Sequence, residues 1–123
     1  MKYLHLVLII VIFLLISCNN SDFTEKMPLG YEFIFEGGNQ NRLLKDNNLV
    51  IDSGLVDCKY NKYYIVVSVD TTFSDNPQKM PKSRLKYLIQ NIKKDTVLNK
   101  ISFSDLQKLI KRDKSLQDID ITK

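Results

Sequence analysis

An almost unbroken apolar run, Tyr3 to Ile16, opens the chain and sets how much of it is left to fold. Met1-Lys2 places a positive charge before the run. Ser17-Cys18 closes it, and polar Asn19-Asn20-Ser21-Asp22 follows. A charged start, an apolar stretch and a small residue before a cut site is the layout of a secretory signal peptide. The run has fourteen residues, His5 included. As a helix it covers roughly 21 Å, short of a hydrocarbon core of about 30 Å. No Lys or Arg follows before Lys26, so the positive flank of a stop-transfer segment is missing. Residues 1–17 are therefore expected to leave. Just over a hundred residues remain to build one small domain with one modest core.

Leu15-Ile16-Ser17-Cys18 is an aliphatic residue, a tolerated residue, a small residue and a cysteine. This resembles the lipobox of bacterial lipoproteins. The resemblance implies cleavage before Cys18, a diacylglycerol on its thiol and acylation of the new amine. Two or three acyl chains, at about 0.8 kcal/mol per buried CH2, hold a protein stably to a bilayer. The membrane is then a partner through the lipid on Cys18. Asn19 is not the Asp that retains such proteins at the inner membrane of enteric bacteria. The expected location is the outer membrane of a two-membrane cell, and otherwise the outer face of the cytoplasmic membrane.

Processing there also limits the chemistry. The single histidine, His5, leaves with the leader, and the chain has no tryptophan. Ser-His-Asp catalysis, Cys-His catalysis and histidine metal sites are excluded from the mature chain. Its best acid–base group near neutral pH is gone as well. Cys58 is left without an intrachain partner, and its place in an alternating apolar pattern reads as a small buried hydrophobe. Without Lys2 the seventeen basic and fourteen acidic residues leave about +3, interspersed apart from a denser basic stretch between Lys79 and Lys114. So weak a surplus calls for no nucleic-acid partner.

Residues 18–30 read as the lipidated cysteine and a polar tether, and residues 31–123 as a single domain. Tyr31, Phe33 and Phe35 alternate with Glu32, Ile34 and Glu36, as in a strand with one buried side. Turns are expected at Gly37–Asn41, Lys45–Asn48 and Asp52-Ser53-Gly54. Leu55 to Val69 reads as a hairpin turning at Asn61-Lys62, with Val56, Cys58 and Tyr60 on one face. Tyr63-Tyr64-Ile65-Val66-Val67 is apolar on both faces and belongs at the centre of the sheet. Asp70 to Ser83 reads as a long polar loop without structure of its own. Leu85 to Ile92 is the next strand, Lys93–Thr96 turns it, and Val97-Leu98 begins a short return. Ser102 caps a helix in which Phe103, Leu106, Leu109 and Ile110 share one face, with Asp105 as the capping-box acid. Leu116, Ile119 and Ile121 continue as a turn and a final extended piece.

The layout from Val50 to Ile121 is that hairpin, a variable loop, then the strand–turn–strand–helix unit from Tyr87 to Leu106. It resembles a family of small bacterial lipoproteins of the domain-of-unknown-function kind. Members often carry a Gly-Pro pair before the helix, where this chain has Asn99 and Lys100. The resemblance brings no catalytic residues and no cofactor.

Other constellations carry little. Ser83-Arg84-Leu85-Lys86 and Ser74-Asp75-Asn76 match motifs of penicillin-recognising enzymes, but in reversed order and with Lys86 in a strand pattern. Asp118-Ile119-Asp120 lacks the turn and spacing of a calcium loop. Glu32 and Glu36 share a strand face, in a domain with little room for a sugar-sized cleft. Tyr60, Tyr63, Tyr64 and Tyr87 read either as core packing or as an exposed aromatic binding surface. The expected fold is α+β, an antiparallel sheet of about five strands with one main C-terminal helix packed on one face. The expected role is a lipid-anchored, non-enzymatic binding or accessory module with an envelope protein partner and no metal. The alternatives are an immunity-type lipoprotein that neutralises a secreted toxin and a histidine-independent envelope hydrolase.

Overall fold

The computed structural model of the chain describes residues 3–4 and 23–123. The lipidation site expected at Cys18, and all of the expected leader but Tyr3 and Leu4, lie outside the described residues. Among the described residues no helix is long and apolar enough to cross a membrane.

Four short strands form a first antiparallel meander: β1 (Phe23–Lys26), β2 (Tyr31–Phe35), β3 (Arg42–Lys45) and β4 (Asn48–Ile51). Four more form a second: β5 (Leu55–Tyr60), β6 (Tyr64–Val69), β7 (Lys86–Asn91) and β8 (Asn99–Ile101). One α-helix, α1 (Phe103–Arg112), follows, and a 3-10 segment, Lys114–Ile119, closes the fold. The α+β class, the antiparallel pairing and the C-terminal helix match the sequence reading. A single sheet of about five strands does not. The described residues hold eight strands in two sheets, and β1 lies within the stretch read as tether, with Met27 behind it in the core. The described fold thus takes in Phe23–Gly30 as well as the residues from Tyr31 on.

Two apolar clusters stack these elements into three layers. On one side of the second sheet, Leu55, Ile65, Val67 and Val69 meet Tyr31, Phe33 and Leu43 of the first sheet. On the other, Val66, Tyr87 and Ile89 meet Leu106, Ile110, Leu116 and Ile119. Successive strand side chains point to opposite faces, so a strand buried on both must be apolar throughout. β6 is that strand, apolar but for Ser68, and Ile65 to Val69 are all buried. The expected face of α1 is the one packed, and Ser102 Oγ accepts the Asp105 N–H at 3.1 Å as its cap.

The crossing between sheets occurs at Asp52-Ser53-Gly54. The Gly54 N–H donates to Asn39 O, and the Asp70 N–H donates to Gly54 O, both at 2.8 Å. A bulge between Leu55 and Asp57 follows at once. It sends Val56 to the helix side and keeps Leu55, Cys58 and Tyr60 toward the first sheet. The expected common face of Val56, Cys58 and Tyr60 is corrected accordingly. The layers are also tied by polar contacts. Tyr31 Oη donates to the buried Gln90 Oε1 at 2.7 Å, and Asn41 Nδ2 donates to Leu55 O at 3.1 Å. The loop after β6 has structure of its own as well. It contains 3-10 turns at Pro77–Lys79 and Lys82–Arg84, and Pro77 is buried.

Candidate functional site

The two sheets part where β4 ends over β7 and β8, leaving a groove of about 560 Å³. Ile51, Val69 and Leu88 are in its lining with Lys86 and Lys100 beside them, while Tyr87 and Ile101 line it from strand positions whose side chains turn to the helix side. Register makes the site. Leu88 pairs with Lys100 and Lys86 pairs with Val69, so Lys86, Leu88 and Lys100 lie on the same face of the second sheet. Lys86 and Lys100 are then diagonal neighbours across the β7–β8 pair, at a spacing of about 7–8 Å. Both are exposed. The ion pairs among the described residues are Arg42–Glu36, Lys108–Asp105 and Lys123–Asp120, none of which involves them. Among the described residues no carboxylate lines the groove.

Two hydroxyls, Thr71 and Ser102, stand in the lining too. Ser102 is the cap of α1, so its oxygen already accepts a backbone N–H. The edge strands flanking the groove are short: β4 has four residues and β8 has three.

The four candidate tyrosines do not share a surface. Tyr87 is buried at 2 % exposure against α1, and its hydroxyl donates to Lys82 O at 2.7 Å. Tyr64 packs on the same side, half-buried, and donates to Asp113 Oδ2 at 2.8 Å. Tyr60 lies on the opposite face and donates to Glu25 Oε1 at 3.1 Å. Tyr63 is exposed, with Lys62 Nζ 5.0 Å from its ring centre. Alternation explains the split: Tyr60 and Tyr64 sit on opposite faces of the second sheet, and Tyr87 is opposite Ser68 at its centre. Only Tyr87, as part of a wall, reaches the groove.

Other candidates are spent on the fold. Cys58 is half-buried and packs toward the first sheet. Burial pushes its thiol up, with the nearby Asp57 and Glu25 charges adding, so the nucleophilic thiolate is disfavoured. Asp120 Oδ1 accepts from the Thr122 N–H and hydroxyl, while Asp118 Oδ1 accepts from Asn61 Nδ2. Glu36 is paired with Arg42 at 2.6 Å. Burial alone would raise the Asp70 carboxyl, but hydrogen bonds from the Thr72 hydroxyl, the Thr72 N–H and the Ser74 N–H hold it below its ordinary value. Among the described residues no three His, Cys, Asp or Glu side chains are grouped to hold a metal.

Tyr87 carries a pH signature. Burial first, and then Asp120, pushes its hydroxyl from 10.0 up to about 12. The folded state thus favours the neutral phenol more than the unfolded state does. The resulting stability is fully present below pH 10 and is lost as pH rises from 10 toward about 12. Chemical denaturation across that window should show stability declining, and Tyr87→Phe should make the decline shallower. An equally steep decline in Tyr87→Phe would contradict the assignment.

The lysine pair escaped the sequence reading. The basic stretch between Lys79 and Lys114 was visible, but only the β7–β8 register brings residues 86 and 100 together. Comparison with family models, with curated proteins and with solved structures gave no match.

Proposed function

We propose that this chain is a lipid-anchored cell-envelope protein, tethered through Cys18, and that it acts as a non-enzymatic binding or accessory module. The observation that carries the binding role is the groove: a concave, largely apolar site that, among the described residues, has two unpaired ammonium groups and no carboxylate, thiol or imidazole in its lining. Tethering suits its position. Five residue steps separate Cys18 from Phe23, a reach of at most roughly 18 Å. β1 and β4 are opposite edges of the first sheet, about 14 Å apart at ordinary strand spacing. The groove lies at the β4 edge, across the first sheet from β1, the strand that follows Cys18 in the chain.

Ser102 beside Lys100 and Lys86 supports a second reading, a hydrolase with a serine–lysine pair. Against it, the hydroxyl caps a helix, and no hydrogen bond joins it to a lysine among the described residues.

The test has two arms. Cys18→Ala should abolish lipid attachment and membrane retention; a cleaved, unlipidated protein still held in the membrane would contradict the anchor. The anchored chain should retain an envelope component that Lys86→Glu/Lys100→Glu loses. Ser102→Ala should keep that component while costing about 1 kcal/mol of stability. Labelling of Ser102 by a serine-directed phosphonate would favour the hydrolase. A secreted toxin held by the same face would make the chain an immunity-type lipoprotein.

A further inference from the structure

We infer that the groove binds a single-chain anionic amphiphile, an acyl chain ending in a carboxylate. This rests on the binding-module reading and names its ligand class.

Charge selects the head group. Lys86 and Lys100 stand diagonally on one apolar face without an acidic partner among the described residues. An anion seated between them accepts charge-assisted hydrogen bonds from both. The bland reading is that Lys100 merely guards a free edge, as lysines on edge strands do. That accounts for Lys100 on the edge strand β8; Lys86 is held instead in the β6–β7 ladder by its pairing with Val69, one step beyond the last β7–β8 pair.

The lining selects the tail. Ile51, Val69 and Leu88 offer aliphatic contact on the lysine face, and the lysine stems extend it. The volume of about 560 Å³ lies within the range of small-molecule sites, roughly 300–1,000 Å³. A nucleotide or a sugar needs an open aromatic face or several converging polar groups. Here Tyr87 is buried and Ser102 is committed to its helix, which leaves Thr71 as the one uncommitted hydroxyl in the lining among the described residues. An extended peptide would add to β8 or β4, but these are three- and four-residue edges, and Lys100 sits in the first. A single acyl chain uses the aliphatic lining and leaves the carboxylate at the lysines.

A photoreactive fatty-acid probe, applied to the full-length protein in intact envelope membranes, tests this. Labelling should map to the peptides around Leu88 and Ile101. It should fall about tenfold or more in Lys86→Glu/Lys100→Glu. It should persist in Lys86→Arg/Lys100→Arg and in the distant control Lys108→Glu. Laurate should compete, dodecanol should compete about tenfold less well, and octanoate should be weaker than laurate because each lost methylene costs up to about fourfold. Labelling spread along the chain and unchanged by charge reversal would overturn the inference. So would dodecanol competing as well as laurate, or dodecyl phosphate competing better. If these fail while the lysine variants still lose the envelope component, the ligand class is wrong and the binding module stands. If that component is also indifferent to the lysines, the functional reading falls with it.

Discussion

Replacing Gly54 by alanine is expected to cost about 3–5 kcal/mol, a large part of the roughly 5–15 kcal/mol that holds a domain of this size together. Gly54 has φ +80°, a conformation L side chains rarely adopt. A non-glycine residue there costs about 1–3 kcal/mol in backbone strain. A second cost is steric, because a Cβ on Gly54 would fall well inside contact distance of the Asp70 carbonyl oxygen. That oxygen belongs to backbone and cannot swing away, and crowding of this kind adds about 1–3 kcal/mol. The site is also the corner between sheets, where Gly54 bonds Asn39 and Asp70 at once. Displacement there loosens both layers. Urea unfolding should show a midpoint lowered by roughly 1 M or more, at an unchanged slope. A midpoint close to that of the unaltered chain would mean that the corner is not built this way.

The second large effect is expected at Asn41. Its side chain is fully buried and serves three backbone groups. Asn41 Oδ1 accepts the N–H groups of Glu36 and Gly37, each at 2.9 Å, and Nδ2 donates to Leu55 O. The Leu55 N–H donates in turn to Asn41 O at 3.3 Å. One residue thus closes the turn between β2 and β3 and ties the first sheet to the start of the second. Asn41→Leu keeps the size but strands those three groups, at about 1–3 kcal/mol for each left unsatisfied and buried. Glu36 and its amide are nearer to water than Leu55 O, so we expect a total of about 3 kcal/mol. Amide hydrogen exchange should locate the loss, with protection falling in Glu36, Gly37 and Leu55 and not in α1. Uniform loss across all layers, or none, would contradict this role.

Much of the second sheet and the helix was legible because local pattern and final environment agree there. Tyr63 to Val67 is apolar on both faces, and β6 is covered on both faces. Ser102, Leu106 and Ile110 announce a capped amphipathic helix, and that helix packs as announced. The first sheet was legible only in β2. β1, β3 and β4 are four residues each, too short to display a period, and Glu25 and Lys45 sit at positions that share a face with Phe33 and Tyr31. Lys45 is tolerated there because its ammonium lies 5.0 Å from the Tyr31 ring centre and donates to Thr96 O. The division into two sheets turns on Gly54 and the bulge after it, which sequence pattern showed only as a break. The tyrosines misled as a group because aromatic residues on strands serve core and surface alike. The groove was invisible for a different reason. Its lysines are fourteen positions apart, and they meet only through the pairing of Leu88 with Lys100.

The first sheet offers a competing surface, since Leu49 and Val50 at its free edge are also exposed. In-cell photocrosslinking separates the two most directly, with a diazirine side chain replacing Leu88 in one strain and Leu49 in another. The groove account predicts a discrete adduct from position 88, abolished by Lys86→Glu/Lys100→Glu, and none specific to position 49. A discrete adduct from position 49 alone, indifferent to the lysines, would contradict it.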